Sequence, residues 1–350
     1  LMRIAVCHPQ TAFVRGGAET HTEALVRALK EAGHEAEVVS VAGKWYPATE
    51  IVHQMAVWRS IDLTESNGLP IDMVIALKFP AYLVKHERKV VWLIHQHRSA
   101  YELWDHPDYA DLSKQDEGPA VRDMIWQADR IALGESKRVF TNSINVRDRL
   151  YNSTGLPSEA LYHPSPMTEM LLHSEPGDLG DYIVFPSRLE GLKRQTIAVE
   201  AMRHARSGVR LVLVGSGPDE PALRRMIARG GLGSRVSIEV AVPDERLRDL
   251  FLNALGVYYG PYDEDYGYVT LEGMAARRPV VTLSDSGGPL EFVKDGETGL
   301  VSLPEAVEIG AAFDKLYRDR RSAERLGAAG LEKLRTSMPT WPEIVARLVD

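Results

Sequence analysis

The sequence predicts an α/β protein made of two doubly wound, Rossmann-like domains with parallel sheets. Short β-branched runs alternate with longer amphipathic segments, which is the order of βαβ units. The chain has 350 residues, whereas one domain usually takes roughly 100–200. A Pro- and Gly-rich stretch at 164–181 lacks sustained periodicity and reads as a linker between two series of runs. These observations predict domains at 1–170 and 171–340.

The elements follow in order along the chain. The first series opens with the strand "RIAVC" and an amphipathic helix from Glu19 to Ala32. Its later strands are "AEVVSV", "MVIAL", "VVWLI", "RVFTNS" and "ALYHPS". The second series contains the strands "YIVFPS", "RLVLVG", "RVSIEV", "LGVYYGP" and "PVVTLS". Ligands of such sheets bind at the carboxyl ends of the strands, so two domains facing each other would form an interdomain cleft.

Composition excludes several classes of protein. A net charge of -8 argues against a nucleic-acid partner, because phosphate-backbone affinity requires a basic face. The single cysteine, Cys7, lies in the apolar run "IAVCHP", which indicates a core position and a reducing compartment. The apolar runs are far shorter than the ~18 residues that span a bilayer, and the amino terminus lacks a signal sequence. These features predict a cytoplasmic protein.

The stretch "EDYGYVTLEGM" places Glu264 and Glu272 on either side of Gly267. A helix that begins near Tyr268 would leave its first amide groups, at Tyr268, Val269 and Thr270, without intrahelical acceptors. Helix starts of this kind bind phosphate. The alternative is that both glutamates are solvated acids of a loop and a helix.

Two cations follow the strand "YIVFP" of the same domain. Arg188 and Lys193 come at the carboxyl end of this strand, where an Arg fork and a Lys point charge suit a pyrophosphate. A surface salt bridge is the alternative for Arg188, and Arg194 competes with Lys193 for the second position.

The first domain has two candidate groups. Gly16 and Gly17 precede the first helix and allow close approach of a phosphate, although a plain turn explains them as well. His95 ends the run "VVWLI", where it can hydrogen-bond a substrate hydroxyl. A metal is not expected, because no carboxylate or cysteine cluster completes a site around His95 and His97. The acidic run Asp263–Asp265 is discounted for the same purpose, so we expect neither a metal nor a cofactor.

Four segments together resemble a known family: "GGAETHTEALVRALKEAGHEAEVV", "SRLEGLKRQTIAVEAM", "LVLVGSGPDEPAL" and "EDYGYVTLEGMAARRPVVTLSDSGGPLEFVKDGETGLV". They look like the retaining GT-B glycosyltransferases of family four (glycosyl transferases group 1), whose E-x7-E signature matches Glu264 and Glu272. The resemblance implies an acceptor-side N-terminal domain, a nucleotide-sugar-binding C-terminal domain, and a helix at 341–350 that packs back on the first. The sequence departs from the family pattern at Gly273, where family members usually have alanine, and at Ala241, where they usually have glycine.

The resemblance also implies roles for these residues. The diphosphate would be held by Arg188 and Lys193, the ribose by Glu272, and the sugar hydroxyls by Glu264. Catalytic roles would fall to His95 and Glu264, and donor binding to Gly16, Gly17, Arg188, Lys193, Tyr266, Gly267, Tyr268, Val269, Thr270 and Glu272.

The implied activity is metal-independent transfer of a hexose from a UDP- or GDP-sugar to the hydroxyl of an acceptor sugar, a lipid-linked sugar or a natural product. The basic run "KHERK", 85–89, is a candidate for peripheral contact with the inner face of the membrane, with a solvated loop as its alternative. One competing interpretation is a glycoside hydrolase that uses Glu264 and Glu272, which we disfavour because nearby cations would keep both carboxylates ionised. Another is a nucleotide-sugar-binding protein without catalytic activity.

Overall fold

The computed structural model describes residues 1–350 and divides into two compact units. The first unit comprises Leu1–His163 and Pro339–Asp350, and the second comprises Pro164–Met338. The division falls slightly before the predicted boundary at 170, since the helix that begins at Pro166 packs within the second unit.

Strands and helices alternate through both units. The strands are β1 Arg3–Cys7, β2 Glu35–Val39, β3 Glu65–Ser66, β4 Leu69–Pro70, β5 Met73–Ala76, β6 Lys89–Leu93, β7 Arg138–Thr141, β8 Glu159–Ala160, β9 Tyr182–Pro186, β10 Arg210–Val214, β11 Val236–Glu239, β12 Gly256–Tyr258, β13 Val280–Leu283 and β14 Gly299–Ser302. The helices are α1 Gly17–Glu31, α2 Ala48–Ser60, α3 Gly118–Gly134, α4 Ile144–Thr154, α5 Pro166–Leu172, α6 Gln195–His204, α7 Glu220–Arg229, α8 Asp244–Leu252, α9 Tyr268–Ala275, α10 Ala306–Arg318, α11 Arg320–Ser337 and α12 Trp341–Val349.

Each unit contains one six-stranded parallel sheet. The first has the order β2-β1-β5-β6-β7-β8 and the second the order β11-β10-β9-β12-β13-β14. The predicted strands are present, except that "ALYHPS" overlaps β8 at Ala160 alone, and the α/β class with two Rossmann-like sheets is confirmed. The strand β14 was not predicted, because its run "GLVS" is short and follows a glycine turn. In both sheets the loops after the strands carry the candidate residues to one edge.

Cys7 lies in the core of the first unit, as predicted, with no exposed surface. Burial raises the pKa of its thiol to about 12, so the thiol stays protonated and unreactive. The helix α12 packs against α1 and contributes Trp341 and Ile344 to the same unit's core.

The run "KHERK" does not form a continuous basic surface. Lys89 is 1% exposed, and its Nζ donates to the carbonyl oxygens of Tyr82, Val84 and Ala132 at 2.8–3.0 Å. These bonds satisfy the ends of a turn and of α3. Lys89 is therefore a structural residue, and its assignment to a membrane-binding patch is wrong. None of the helices combines the length and apolar character needed to cross a bilayer.

A pair of stacked, buried histidines is expected to make the stability of the first unit depend on pH. The rings of His21 and His163 stack with centroids 3.9 Å apart, and Trp92 meets His21 edge-on at 4.3 Å. Burial lowers the pKa of His21 to about 3 from an ordinary 6.5, and lowers the pKa of His163 well below that ordinary value. Below pH 6.5 the unfolded chain binds protons that the folded chain excludes, so stability falls as pH falls.

We therefore expect each of these histidines to lower the free energy of unfolding by about 2 kcal/mol between neutral pH and pH 5. Urea unfolding of the wild type and of His21→Phe at both pH values measures the effect. The variant should lose part of the pH dependence. Equal pH dependence in the two proteins would contradict the assignment to this pair.

Gly273 explains one departure from the family pattern. A Cβ at this position would lie 2.8 Å from Cγ2 of Val280 and 3.0 Å from Cγ2 of Val257, both stiff side chains of the sheet. Alanine would improve helix propensity by about 1 kcal/mol, but overpacking costs about 1–3 kcal/mol. The close approach of α9 to β12 and β13 therefore requires glycine here.

We expect Gly273→Ala to reduce the free energy of unfolding by about 1 kcal/mol. The matched control is Gly134→Ala in α3, where an added Cβ meets nothing within 4 Å. That change should leave stability unchanged or raise it. Chemical denaturation compares the two, and a stabilised Gly273→Ala protein would show that α9 moves away from the sheet without penalty.

Candidate active site

The loop after β9 and the loop after β12 bring a lysine and a glutamate together. Nζ of Lys193 donates to Oε2 of Glu264 at 2.5 Å and to the hydroxyl of Tyr259 at 3.2 Å. The Lys193 and Glu264 side chains are only 16% and 17% exposed. Burial alone would lower the pKa of Lys193, but the Glu264 carboxylate and Tyr259 hold that pKa above its ordinary value. The ammonium group is therefore fixed in position and always charged.

The structure separates the functions of Lys193 and Arg194. Arg194 has a left-handed backbone, with φ of 56°, and its guanidinium makes a bidentate bond with Asp285 at 2.7–2.9 Å. The same guanidinium donates to the carbonyl oxygens of Gly260 and Pro261. Arg194 thus ties the loop after β9 to the loops after β12 and β13, whereas Lys193 points to Glu264.

Arg188 forms the surface ion pair that the sequence left open. Its Nη2 lies 2.8 Å from Oε1 of Glu190, and its side chain is 48% exposed. Such an exposed pair is weak, so a stronger anionic partner can displace Glu190 at little energetic expense. Two glycines allow the loop after β10 to pack closely against the loop that carries Arg188. A Cβ at Gly215 or Gly217 would lie 2.1 or 2.3 Å from the carbonyl oxygens of Ser187 and Leu189.

The segment that carries Glu264 is pinned to the loop after β13. The amide of Glu264 donates to the carbonyl of Ser286 at 2.9 Å, and its own carbonyl accepts from the amide of Gly288 at 2.8 Å. A Cβ at Gly288 would lie 2.7 Å from the carbonyl oxygen of Asp265, so only glycine permits this approach. These backbone bonds hold the Glu264 side chain in place beside Lys193.

The helix α9 begins directly after this segment, as predicted. Gly267 precedes it with φ of 88°, and a Cβ there would lie 3.0 Å from the Tyr259 ring and 3.1 Å from Pro289. Both the positive φ and the lack of room for a Cβ therefore require glycine at this position. Tyr268, Val269 and Thr270 form the first turn, in which the Thr270 amide donates to the Gly267 carbonyl at 3.0 Å. Tyr266 lies just before this turn with its buried ring against Phe292.

Glu272 is the buried member of the glutamate pair. It is 8% exposed, and its Oε1 accepts a hydrogen bond of 2.8 Å from Oγ of Ser165, the N-cap of α5. Burial raises the pKa of Glu272 to about 7, although the Ser165 bond opposes this shift. The expectation that nearby cations keep this carboxylate ionised is therefore wrong, because desolvation is the larger effect.

In the first unit, Gly16 and Gly17 lie at the start of α1. The Gly16 amide donates to Oε2 of Glu19 at 2.8 Å, while Oε1 of Glu19 lies 3.2 Å from Nε2 of His8. Burial would raise the pKa of Glu19, but the His8 bond and the charge of Lys78 lower it to about 2. Neither His8 nor Glu19 was predicted from the sequence, although both lie near the carboxyl end of β1.

His95 lies in the loop after β6, as predicted. Its Nδ1 is 2.6 Å from the carbonyl oxygen of Gln96, and because a carbonyl oxygen only accepts, Nδ1 carries the proton of this hydrogen bond. The ring of His97 packs against the rings of Phe79 and Trp45, with centroids 5.3 and 5.7 Å away. No group of three or more His, Cys, Asp or Glu side chains in residues 1–350 is arranged to hold a metal ion.

The model of the family described as glycosyl transferases group 1 matches residues 176–333. We call residues 176–333 the group 1 region. The group 1 region includes the predicted donor-binding residues of the second unit, from Arg188 to Glu272, and excludes Gly16, Gly17 and His95.

Several curated proteins are similar to this chain. The alpha-1,3/1,6-mannosyltransferase ALG2 of Dictyostelium discoideum is 35% identical over 30% of this chain and 24% of its own length. The GDP-mannose-dependent alpha-(1-6)-phosphatidylinositol monomannoside mannosyltransferase of Mycobacterium tuberculosis is 33% identical over 48% and 46%. The phosphatidyl-myo-inositol mannosyltransferase of Mycobacterium leprae is 26% identical over 95% and 92%. The chain thus spans less than half the length of the first of these relatives.

Solved structures show the fold of the whole chain. Sucrose-phosphate synthase from Thermosynechococcus elongatus matches with a TM-score of 0.78 and 16% identity over 99% of this chain and 97% of its own. The glycosyltransferase WaaG, involved in lipopolysaccharide biosynthesis, matches with a TM-score of 0.70 and 15% identity over 99% of both chains. The group 1 region is therefore one part of a GT-B fold, which confirms the predicted fold class.

Proposed function

We propose that the chain is a retaining, metal-independent glycosyltransferase that moves a hexose from a UDP- or GDP-sugar to a hydroxyl acceptor. The observation that carries this proposal is the Lys193–Glu264 pair, fixed at 2.5 Å in the group 1 region. A cation and an acid in one buried pair suit a substrate that has a diphosphate joined to a sugar.

Lys193 and the first turn of α9 would bind the diphosphate, with Arg188 adding a second cation. Departure of this leaving group builds negative charge on the diphosphate, which the fixed ammonium and amide groups stabilise. Preorganised donors of this kind are typically worth about 3–4 kcal/mol each. Because these cations are available, we propose that no metal ion is required.

Glu264 would act on the transferred sugar and Glu272 on the ribose. Positive charge grows on the sugar ring in the transition state, so a carboxylate beside the ring stabilises the transition state more than the ground state. Two ribose hydroxyls would donate to Glu272, replacing Ser165 and favouring the ionised carboxylate. For His95 we propose a contact with the transferred sugar, as the family resemblance implies.

GDP-mannose is the first donor to test, because similar proteins are named as mannosyltransferases and one of them as GDP-mannose-dependent. Other similar folds are named in complex with UDP. The acceptor would be a sugar, a lipid-linked sugar or a natural product. We place the activity in the cytoplasm, with peripheral membrane contact as part of the proposal for a lipid-linked acceptor.

A glycoside hydrolase is the second candidate, and one observation favours it. The raised pKa of Glu272, about 7, is what a general acid needs at neutral pH. However, a hydrolase offers no function for Lys193, whose ammonium would face a neutral substrate. A nucleotide-sugar-binding protein without turnover would share every binding group, so only release of the nucleoside diphosphate separates it from the enzyme.

Thermal unfolding with a panel of nucleotides and nucleotide-sugars tests the proposal. UDP or GDP at 100 times its dissociation constant should stabilise the protein by about 2.7 kcal/mol, whereas free mannose or glucose should not. The matched control is Lys193→Ala, which should lose most of the shift. A wild-type protein whose midpoint no nucleoside diphosphate changes would contradict donor binding.

A further inference from the structure

A buried carboxylate lies behind His95. Asp129, on α3, has no exposed surface. Its Oδ1 accepts from the Tyr82 hydroxyl at 2.7 Å, and its Oδ2 accepts from the Tyr101 hydroxyl at 2.7 Å and from Nε2 of Gln96 at 2.9 Å. Three neutral donors, one from the connection between β5 and β6 and two from the loop after β6, therefore converge on one carboxyl group.

Gln96 connects this carboxyl group to His95. The Gln96 side chain is 7% exposed, and its Oε1 accepts from Oγ of Ser153, on α4, at 3.0 Å. Because an ionised Asp129 only accepts, the amide must present Nε2 to Asp129 and Oε1 to Ser153. The carbonyl oxygen of the same residue accepts the Nδ1 proton of His95 at 2.6 Å. The side chain of Gln96 is thus held on both sides while its main chain holds the imidazole.

Stability does not explain this arrangement well. Burial raises the pKa of Asp129 to about 6, against the effect of its three donors, so the buried charge is only partly compensated. Well-packed apolar residues usually stabilise a core as well as or better than buried charges do. A fully satisfied network does, however, fix one geometry.

We propose that Asp129 and Gln96 are positioning residues that hold His95 in the Nδ1–H tautomer and in one ring orientation. The inference rests on the proposed role of His95 at the sugar. With Nδ1 as the donor to the Gln96 carbonyl, Nε2 is the acceptor nitrogen of the ring, which suits it to receive a hydrogen bond from a sugar hydroxyl. Asp129 thus orients His95 through Gln96 and does not contact the substrate.

The test is nitrogen NMR of protein labelled at its histidines, together with donor kinetics. His95→Gln identifies the His95 signals among the 11 histidines. Asp129→Asn keeps the shape but turns an acceptor oxygen into a donor facing Gln96. We expect the His95 nitrogen signals to shift from those of the Nδ1–H tautomer, and kcat for nucleoside diphosphate release to fall on the order of tenfold with little change in the donor KM.

Asp314→Asn is the matched control, at an aspartate that is 6% exposed in the second unit and accepts from the amides of Arg206 and Ser207. It should lower the unfolding temperature without moving the His95 signals or kcat. Ser153→Ala removes the bond to Gln96 Oε1 together with a local bond to the carbonyl oxygen of Leu150 in the same helix. It should move the His95 signals in the same direction as Asp129→Asn, and it replaces that variant if Asp129→Asn fails to fold. Unmoved His95 signals in the folded variants would overturn the inference. A wild-type protein that releases no nucleoside diphosphate would instead overturn the proposed function, and the NMR result would still decide the positioning role.

Discussion

Lys193→Ala is expected to weaken binding of UDP or GDP about a hundredfold. The substitution removes a charge-assisted bond worth about 1.5–3 kcal/mol. It also leaves the carboxylate of Glu264, now without its 2.5 Å partner, close to the diphosphate. Titration calorimetry measures the dissociation constant directly. Lys315→Ala, at an exposed lysine of α10, is the control and should bind like the wild type.

Substitutions at Glu264 separate the loss of the Lys193 charge from the repulsion between the Glu264 carboxylate and the diphosphate. Glu264→Gln should bind nucleoside diphosphates slightly more tightly than the wild type, because Lys193 is released from its ion pair. The double variant Lys193→Ala, Glu264→Gln should recover part of the lost affinity, which a double-mutant cycle quantifies. Arg188→Ala should have a smaller effect, since Arg188 is half exposed and paired with Glu190. Unchanged affinity in Lys193→Ala would rule out its proposed role.

Glu264→Gln and Glu272→Gln are expected to have opposite kinetic consequences. Glu264→Gln should lower kcat about a hundredfold at saturating donor, because the charge it removes acts mainly in the transition state. Glu272→Gln should mainly weaken donor and diphosphate binding, because a ribose contact exists in ground and transition states alike. Glu272→Gln should also abolish any increase in affinity for the nucleoside diphosphate as pH rises through about 7, the pKa of Glu272.

Saturating-donor kinetics and diphosphate calorimetry on both variants decide between these roles. If Glu264→Gln loses diphosphate affinity while Glu272→Gln loses only turnover, the assignments are reversed. Gln at both positions keeps the size of the side chain, so the comparison isolates the charge.

Much of the fold was predictable because local patterns determine it. Buried parallel strands are continuous β-branched runs, and β9, β10 and β13 are read directly from "YIVFP", "RLVLV" and "VVTL". The position of Arg188 and Lys193 after a strand also follows, since the carboxyl ends of parallel strands share one edge of the sheet. The start of α9 at Tyr268 was predictable from Gly267 and the apolar run that follows it.

The partners within the site were not predictable, because they depend on packing between distant segments. Lys193 meets Glu264 across 71 residues, and Ser165 reaches Glu272 across 107. The choice between Lys193 and Arg194 depends on a left-handed backbone at Arg194 that no sequence pattern reveals. The burial of Lys89 likewise depends on three carbonyl groups from two separate segments. In each case the residue type was visible in the sequence and its partner was not.

The most direct test of the proposed activity is proton NMR of the folded protein incubated with UDP- and GDP-sugars, with and without excess chelator. The mixture includes acceptor sugars, lipid-linked sugars and natural products, whose hydroxyl groups would receive the hexose. We expect release of nucleoside diphosphate from at least one donor, a product that keeps the anomeric configuration of the donor, no effect of the chelator, and loss of the reaction in Glu264→Gln. The absence of release from every donor, an inverted product, or a requirement for magnesium or manganese would contradict a retaining, metal-independent transferase.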